Sequence, residues 1–354
     1  MVTSLSPAEF LEKARTIPVI DVRSPNEFFQ GHIPGSFNIP LFNNEERAIV
    51  GTLYKNSGRE ASVFRGLELA GPKLSGFIRV LRKLVPGKEV MVHCWRGGMR
   101  SESMAWLFSV AGYTVWLLEG GYKAYRRTIR EALGGKINLV ILGGNTGSGK
   151  TGILKAMAGT GEQVLDLEGL ARHKGSVYGG LGLPDQPTTE QFENDIWHCL
   201  EGFDLSKPVW TEDESRKIGI VNIPDPLYDR MHRSVMIRIG TSRESRIDRL
   251  VSEYSGFGNE ALKEKTSRIA EKLGGTTVKI IHEALDRNDF STVVQLVLDY
   301  YDKAYEHAVS RRPGREIHDL PLTGNNPLAN ALIILGFFDS LQPEQYMPYG
   351  TSLS

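Results

Sequence analysis

The sequence at residues 90–101 reads Val-Met-Val-His-Cys-Trp-Arg-Gly-Gly-Met-Arg-Ser. Residues 90–93 have the apolar character of a buried strand, and a helix is predicted over residues 101–111. The loop between them contains one cysteine, two arginines and two glycines. Strands that alternate with helices in this way predict an α/β protein whose parallel sheet is covered on both faces.

The loop cysteine, Cys94, has the surroundings of a reactive thiol. Successive backbone N–H groups of such a loop point inward, and the N-terminus of the following helix adds positive potential. Arg96 and Arg100 reinforce that potential. Because these features stabilise a thiolate, the sequence predicts that Cys94 is a nucleophile. The second cysteine, Cys199, lies on an apolar helical face and is predicted to be a core residue.

The stretches on either side of this loop resemble the rhodanese signature. Residues 21–28 read Asp-Val-Arg-Ser-Pro-Asn-Glu-Phe, residues 31–36 read Gly-His-Ile-Pro-Gly-Ser, and residues 118–122 read Leu-Glu-Gly-Gly-Tyr. The resemblance implies an N-terminal rhodanese-like parallel-sheet domain whose cysteine carries sulfur or selenium. The spacing His-Cys-x5-Arg-Ser is also that of cysteine-dependent phosphatases, one family of which shares this fold. A rhodanese-fold cysteine phosphatase therefore stays open as an alternative.

A second strand–loop–helix unit begins with an apolar strand pattern at residues 137–142. The loop that follows fits the phosphate-binding motif G-x-x-x-x-G-K-[ST], and its residues are Gly144, Asn145, Thr146, Gly147, Ser148, Gly149, Lys150 and Thr151. Its glycines let the backbone wrap a phosphate chain at a helix N-terminus, while Lys150 neutralises phosphate oxygens and Thr151 can hold Mg²⁺. The pattern predicts a P-loop NTPase-like α/β domain, and any diphosphate would satisfy this loop.

Charged residues near other strand ends are candidates for binding a metal or a water, for contacting a second substrate, or for closing over the phosphates. Glu212 and Asp213 follow a predicted strand, where a carboxylate often serves a metal or a water; a solvated acidic turn is the alternative. Asp166 follows another strand, at the position where kinase-like P-loop proteins meet their second substrate. Arg243 and Arg246, one helical turn apart, are candidate lid residues, or else surface charges paired with acidic neighbours on the same helix.

Basic residues cluster near the boundary of the two predicted domains. Residues 122–130 contain four cations, two tyrosines and no acid, and residues 172–176 add a second basic turn. Cations that alternate with aromatic rings suit single-stranded RNA, because phosphates are neutralised and bases stack on the rings. The predicted RNA-binding residues are Lys123, Arg126, Arg127, Arg130, Arg172 and Lys174.

The chain of 354 residues balances 42 Lys plus Arg against 42 Asp plus Glu, which excludes a strongly basic nucleic-acid coat protein. Two cysteines are too few for a disulfide framework, and no apolar run is long enough to span a membrane. We therefore expect a cytoplasmic protein that does not contact membranes. The predicted domains are a rhodanese-like domain over residues 1–134, a P-loop domain over residues 135–300, and a helical C-terminal extension and tail over residues 301–354.

The two loops occur together with further characteristic stretches at residues 51–55, 71–73, 166–171 and 212–219. In this combination the chain resembles the bacterial tRNA 2-selenouridine synthases. The resemblance implies that selenium replaces the sulfur of 2-thiouridine at the tRNA wobble position. Geranyl diphosphate first alkylates that sulfur, and selenium from selenophosphate then displaces the S-geranyl group.

The resemblance also implies roles and partners. Lys150, Thr151 and Mg²⁺ would stabilise the departing pyrophosphate, and Cys94 would carry selenium as a perselenide. Geranyl diphosphate and selenophosphate are substrates, and no cofactor is expected to be tightly bound. The implied partners are the anticodon stem-loop of a tRNA containing 2-thiouridine and an enzyme that supplies selenophosphate. The alternatives are an ATP-dependent tRNA sulfur-transfer (thiolation) enzyme and an RNA-binding adaptor whose P-loop is a regulatory switch.

Overall fold

The computed structural model describes residues 1–311 and 314–341, and the chain divides into two compact units, Met1–Leu133 and Gly134–Ser354. The boundary predicted between residues 134 and 135 lies one residue from this division. Within the described residues, no helix combines the length and the apolar character needed to cross a membrane. The end of the predicted tail, residues 342–354, lies outside the described residues.

The first unit alternates strands and helices. Its elements are β1 (Val2–Leu5), α1 (Pro7–Ala14), β2 (Val19–Asp21), α2 (Pro25–Gln30), β3 (Phe37–Asn38), α3 (Asn44–Ala70), α4 (Leu74–Leu84), β4 (Glu89–His93), α5 (Met99–Val110), β5 (Thr114–Leu118) and α6 (Gly121–Leu133). The strands form one parallel sheet in the order β1-β5-β4-β2-β3. The predicted parallel sheet is therefore confirmed, and the strand predicted at residues 90–93 is β4.

Local sequence signals explain where the helices of this unit begin and bend. Ser24 caps α2, with its side chain and that of Glu27 bonded reciprocally to backbone N–H groups and Pro25 in the first helical position. Helix α5 begins at Met99, two residues before the predicted start. Helix α3 is bent at Gly58, whose φ of +85° lies in the left-handed region that favours glycine.

The second unit contains a second parallel sheet. Its elements are β6 (Leu139–Gly143), α7 (Lys150–Gly159), β7 (Gln163–Leu165), α8 (Leu167–Ala171), α9 (Thr189–Glu201), β8 (Val209–Glu212), β9 (Lys217–Ile218), β10 (Val221–Asn222), α10 (Asp225–Arg233), β11 (Met236–Gly240), α11 (Arg243–Tyr254), α12 (Asn259–Ser267), α13 (Ala270–Leu273), α14 (Gly275–Asp286), α15 (Phe290–Ser310), β12 (Ile317–Pro321) and α16 (Pro327–Ser340). The main sheet has the order β12-β11-β6-β8-β7, and β9 and β10 form a small antiparallel pair.

The C-terminal part of this unit differs from the helical extension predicted over residues 301–354. Helix α15 continues through residue 300 to Ser310, and β12 adds a fifth parallel strand beside β11. Helix α16 then buries Ala331 and Ile334 in the apolar cluster that contains Ile153 of α7. The C-terminal residues therefore complete the P-loop sheet and its helical cover, because β12 pairs with β11 at the edge of that sheet.

Candidate functional site

Cys94 lies in the cysteine loop, residues 94–98, between β4 and α5. Its side chain is buried, with Sγ 3.2 Å from Ser101 Oγ and 3.8 Å from the carbonyl oxygen of Gly98. The Ser101 hydroxyl also donates to that carbonyl at 2.9 Å. By rotating, the same hydroxyl can donate to a thiolate, so Ser101 offers a hydrogen bond to the charged form of Cys94.

The turn from β5 into α6 holds the cysteine loop through two backbone hydrogen bonds. The backbone N–H of Tyr122 donates to the carbonyl of Cys94 at 2.8 Å, and that of Lys123 donates to Trp95 at 3.0 Å. Gly121, at φ +60°, makes this contact possible, since a Cβ there would lie 2.5 Å from the Cys94 carbonyl oxygen. The backbone position of Cys94 is therefore fixed by contacts distant in sequence.

Of the two arginines of the predicted nucleophile site, one is held in an ion pair and the other is exposed. Arg100 donates to Glu27 at 2.7 Å, whereas Arg96 is exposed and has no hydrogen-bond or ion-pair partner among the described residues. Burial acts to raise the pKa of Glu27, but the hydrogen bond and charge of Arg100, with smaller contributions from Ser24 and Arg47, lower that pKa to about 2. Glu27 is therefore ionised at neutral pH and holds Arg100 in an ion pair.

A buried ion pair lies beneath the loop, and sequence reasoning did not assign its arginine a role. Arg23 donates to Asp21 at 2.7 Å, both side chains are almost fully buried, and the Arg23 guanidinium lies 3.8 Å from the centre of the Tyr122 ring. Burial lowers the pKa of the neighbouring His93, against the opposing charge of Asp21. The spacing Asp-x-Arg in a strand end is the only local signal for this pair.

A cavity of about 1200 Å³ opens beside Cys94. It is lined by the bent helix α3, by α5 and by the cysteine loop, and we call it the α3–α5 cavity. Its apolar lining includes Phe42, Val63, Leu67, Met104 and Trp106. Five lining residues are cationic and none is acidic; the cations are Arg47, Lys55, Arg59, Arg96 and Arg100. Cys94 therefore lines an apolar space that has a positive border.

The phosphate loop, residues 144–151, joins β6 to α7, which is the context that the motif requires. Lys150 Nζ donates to the carbonyl of Gly144 at 2.7 Å, and Thr151 Oγ1 donates to Glu168 at 2.7 Å. The backbone N–H of Gly144 donates to the hydroxyl of Tyr305 at 2.9 Å. A lysine and a hydroxyl of the loop therefore lie at the start of α7, and the hydroxyl is bonded to the carboxylate of Glu168 on α8.

Three glutamates near this loop, Glu168, Glu212 and Glu214, lie close enough to affect one another's pKa. Glu212 is buried and accepts from the backbone N–H of Glu168 at 2.6 Å, and its other oxygen has no partner among the described residues. Burial, and then the charge of Glu168, raise the pKa of Glu212 and raise that of Glu214 to about 8.

The predicted candidate Asp166 instead caps α8 by accepting from Gly169 at 2.7 Å. Asp213 forms a buried ion pair with Arg315 at 3.0 Å, so it does not lie in a solvated acidic turn.

Both predicted lid arginines pair with α15, and one of them, Arg246, also contacts the phosphate loop. Arg246 is buried, donates to the Thr146 carbonyl at 2.9 Å and pairs with Asp302 at 2.5 Å. Arg243 pairs with Asp299 at 2.5 Å. Neither is paired with the acidic neighbours on its own helix, which was the alternative. A third arginine that sequence reasoning missed, Arg249, donates to the Gly147 carbonyl.

The predicted RNA-binding residues divide by exposure. Lys123, Arg127 and Arg130 are exposed on α6, but Arg126 is buried, so the four cations do not share one exposed face. Tyr122 and Tyr125 are also buried, and they stack on each other with ring centres 5.6 Å apart. The expectation that these rings are available to bases is therefore wrong, because they pack under the cysteine loop.

The two cations of the second basic turn are exposed, and both bond to residues of the second unit. Arg172 donates to the carbonyl of Asp185 at 3.0 Å, and Lys174 forms an ion pair with Glu253.

Cys199 is half-buried on α9 beside the buried Ile196, and burial raises the pKa of its thiol. Of the two cysteines, only Cys94 lies in a loop beside a cavity.

The fold and the two loops define a protein that joins a rhodanese-like domain to a P-loop domain. Family models agree: a rhodanese-like domain matches residues 6–128, and a tRNA 2-selenouridine synthase AAA domain matches residues 137–319. The chain belongs to the tRNA 2-selenouridine synthase family. It is 32% identical to the tRNA 2-selenouridine synthase of Nitrosomonas europaea, over 83% of this chain and 90% of the relative. It is 40% identical to that of Bdellovibrio bacteriovorus, over 68% of this chain and 65% of the relative.

Proposed function

We propose that this chain replaces the sulfur of 2-thiouridine at the tRNA wobble position with selenium, and that S-geranyl-2-thiouridine is the intermediate. Membership of the tRNA 2-selenouridine synthase family supports the overall conversion. The structural observation that carries the proposal is the placement of Cys94, buried in a loop at a helix N-terminus, beside a hydroxyl donor and a large open cavity.

The proposed first step is geranyl transfer at the phosphate loop. The 2-thio sulfur attacks C1 of geranyl diphosphate, the C1–O bond breaks, and pyrophosphate leaves with the bonding electrons. The loop N–H groups and Lys150 would stabilise the charge that develops on pyrophosphate. Thr151 and Glu168 offer a hydroxyl and a carboxylate 2.7 Å apart, which are oxygen ligands that suit Mg²⁺ bound with a diphosphate.

The proposed second step is selenium transfer at Cys94. Selenium carried on the sulfur attacks C2 of the base, and the C2–S bond breaks with geranylthiolate leaving. Alkylation assists this step because a thioether sulfur leaves more readily than a thiocarbonyl sulfur. To load the cysteine, selenophosphate selenium displaces a thiolate from a mixed disulfide of Cys94, which forms the S–Se bond, and hydrolysis of the P–Se bond releases phosphate. After transfer of selenium to C2, the displaced thiol cleaves the S–Se bond and restores the mixed disulfide, so the two electrons balance. Ser101 would donate a hydrogen bond to the charged chalcogen.

The contacts of Arg100 favour selenium transfer over the phosphatase alternative. A cysteine phosphatase needs the arginine of Cys-x5-Arg to bind the phosphate held by the loop. Here that arginine is paired with an ionised glutamate, Glu27, at 2.7 Å. A phosphoryl group would therefore have to compete with a carboxylate for Arg100, whereas a single chalcogen atom on Cys94 needs no such ligand.

The proposed RNA contact uses the exposed cations of the first unit. Lys123, Arg127 and Arg130 are exposed on α6, and Arg96 is exposed on the cysteine loop. These groups can neutralise phosphates of an anticodon stem-loop, whose single-stranded bases are accessible without opening a duplex. We propose that the RNA contact depends on charge, since the tyrosines of α6 are buried.

The test is mass analysis of nucleosides from an anticodon stem-loop RNA containing 2-thiouridine, incubated with the full chain. Geranyl diphosphate alone should give S-geranyl-2-thiouridine, and both geranyl diphosphate and selenophosphate should give 2-selenouridine. Selenophosphate alone should leave 2-thiouridine unchanged. Formation of 2-thiouridine from uridine with ATP would favour the sulfur-transfer alternative, and hydrolysis of an aryl phosphate that is lost in Cys94→Ser would favour the phosphatase. Binding of the RNA without modification would favour the adaptor.

A further inference from the structure

The α3–α5 cavity is much larger than the selenium chemistry needs. A selenophosphate ion is small and anionic, so a compact polar pocket beside Cys94 would be enough to receive it. The cavity instead measures about 1200 Å³, above the usual range of roughly 300–1000 Å³ for small-molecule pockets. Most of its wall is apolar, with contributions from Phe42, Val50, Val63, Leu74 and Met104. The lining therefore indicates a second, apolar ligand group near the sulfur.

Apolar side chains at the border of the cavity are unusually exposed. Tyr54 is 61% exposed, Leu67 66% and Trp106 62%, and all three line the same space. Contiguous exposed apolar surface on a protein commonly marks a binding site. A long apolar chain that enters the cavity would cover these three side chains and remove them from water.

The charges around the cavity complement an apolar chain joined to an anion. The lining contains five cations and no acid, and three of the cations are Lys55, Arg59 and Arg96. Arg47 and Arg100 are engaged by Glu27, whereas Arg96 and Lys55 have no ion-pair partner among the described residues. An apolar chain attached to a nucleotide of an RNA would place the chain in the cavity and phosphates at this border.

We infer that the α3–α5 cavity binds the prenyl chain of the S-alkylated base while Cys94 acts at C2. The inference rests on the proposed function, and it deepens the proposal by giving the geranyl group a second purpose. Because Cys94 is part of the cavity wall, a substituent on the sulfur that is displaced from C2 lies where the cavity begins. The geranyl group then both makes the sulfur a better leaving group and is the part of the RNA that selects it for selenium transfer.

The test uses two double variants with matched chemistry. Leu67→Ala with Trp106→Ala removes apolar contacts that line the cavity, one on α3 and one on α5. Phe64→Ala with Val110→Ala changes apolar residues on the same two helices that are similarly exposed, at 69% and 68%, and do not line it. All four side chains are largely exposed, so both variants should fold, and circular dichroism melting checks this.

Binding is measured with the full chain and three probes: anticodon stem-loop RNA carrying S-geranyl-2-thiouridine, the same RNA carrying S-methyl-2-thiouridine, and geranyl diphosphate. The cavity variant should lose affinity for the S-geranyl RNA by about tenfold or more while binding of the S-methyl RNA stays the same, as expected when two apolar contacts are lost. The control variant should bind all three probes as the wild type does.

Two results would overturn the inference. Equal affinity of the wild type for S-geranyl and S-methyl RNA would show that no site recognises the chain. Weaker binding of geranyl diphosphate in the cavity variant, with the S-geranyl RNA unaffected, would assign the cavity to the prenyl donor instead. Because binding is measured without turnover, a wild-type chain that binds S-geranyl RNA but never forms 2-selenouridine would refute the proposed function and not the cavity assignment.

Discussion

The cysteine loop of the first unit and the phosphate loop of the second share a local plan but differ in their charges. Each follows a parallel strand and ends at a helix N-terminus, which favours anions. Around the cysteine loop, the cavity is lined by cations and no acid. Around the phosphate loop, Glu168, Glu212 and Glu214 crowd together, and the pKa of each is raised by burial.

This difference in charge fits the two kinds of chemistry that the proposed function assigns to the two loops. Under the proposed function, the reacting group at Cys94 is a side chain of the protein, and the surrounding cations would attract an anionic RNA. At Lys150 the proposed reacting anion belongs to a substrate, and the nearby carboxyls and the Thr151 hydroxyl would suit a metal or proton that accompanies it. The predictions below test whether the two loops act independently, in order of decreasing effect.

The largest effect is expected for Cys94→Ala. Loss of the nucleophile should reduce formation of 2-selenouridine by at least on the order of 10³-fold while S-geranyl-2-thiouridine still accumulates. Mass analysis of nucleosides measures both products. Cys199→Ala is the matched control, since that cysteine is half-buried on α9 outside the α3–α5 cavity, and it should leave both products unchanged. Formation of 2-selenouridine by Cys94→Ala would show that Cys94 does not carry the selenium.

A smaller effect, on geranyl transfer alone, is expected for Lys150→Ala. Removing one charged donor from the leaving pyrophosphate should slow S-geranyl formation by on the order of 10²-fold. The exposed Lys155 on the same helix α7 provides the control, and Lys155→Ala should have no effect. If Lys150→Ala changes only ATP binding and not geranyl transfer, the diphosphate assignment fails.

Glu27→Gln should destabilise the first unit moderately. The pKa of Glu27 is lowered to about 2 by Arg100 despite burial, so the carboxylate stabilises the folded state above its ordinary pKa of 4.5, and this contribution is lost as the pH falls towards 2. We expect a loss of about 2 kcal/mol in the free energy of unfolding at pH 7, shrinking below pH 4.5. Urea denaturation at several pH values measures it.

The control for this change is Glu68→Gln, which removes an exposed ion pair with Arg65 on α3. Exposed pairs contribute little, so the expected loss is below about 0.5 kcal/mol at any pH. A loss in Glu27→Gln that does not depend on pH would show that the Arg100 ion pair is not its source.

The smallest effect concerns Glu214 beside the phosphate loop. Burial, with the charges of Glu168 and Asp213, raises the pKa of Glu214 to about 8 against the opposing charge of Lys150. Ionisation above pH 8 adds negative charge, so the affinity for inorganic pyrophosphate should fall several-fold more between pH 7 and 9 in the wild type than in Glu214→Gln. Titration calorimetry measures it; Glu244→Gln, exposed on α11, should behave as the wild type. Identical pH profiles for Glu214→Gln and the wild type would contradict the assignment.

Local motifs predicted both loops, because a strand, a glycine-containing loop and a helix start are encoded within about a dozen residues. The α3–α5 cavity could not be predicted in this way. Its wall depends on the 27-residue helix α3, whose apolar side chains include exposed residues such as Tyr54 and Leu67 and whose path bends at Gly58. These positions give no clear helical periodicity, since part of the apolar surface faces an open cavity instead of the core.

Long-range pairs explain the other differences. Asp213 pairs with Arg315, 102 residues away in the sequence, and Arg246 pairs with Asp302, 56 residues away. No local sequence pattern predicts partners at such separations. Tyr122 and Tyr125 fit an RNA-binding pattern by composition, yet the turn before α6 packs under the cysteine loop and buries both rings. Strand β12 lies at a sheet edge and contains no buried residue, so its sequence lacks the apolar pattern of a buried strand, and its pairing with β11 becomes visible only in three dimensions.

The most direct test of two separable reactions is single-turnover selenium transfer to purified RNA that already carries S-geranyl-2-thiouridine. Selenophosphate is supplied without geranyl diphosphate, and the wild type is compared with Lys150→Ala and Cys94→Ala. We predict that Lys150→Ala forms 2-selenouridine at the wild-type rate and that Cys94→Ala forms none. Equal loss in both variants would contradict the account, because the phosphate loop would then be needed for the step assigned to the cysteine loop.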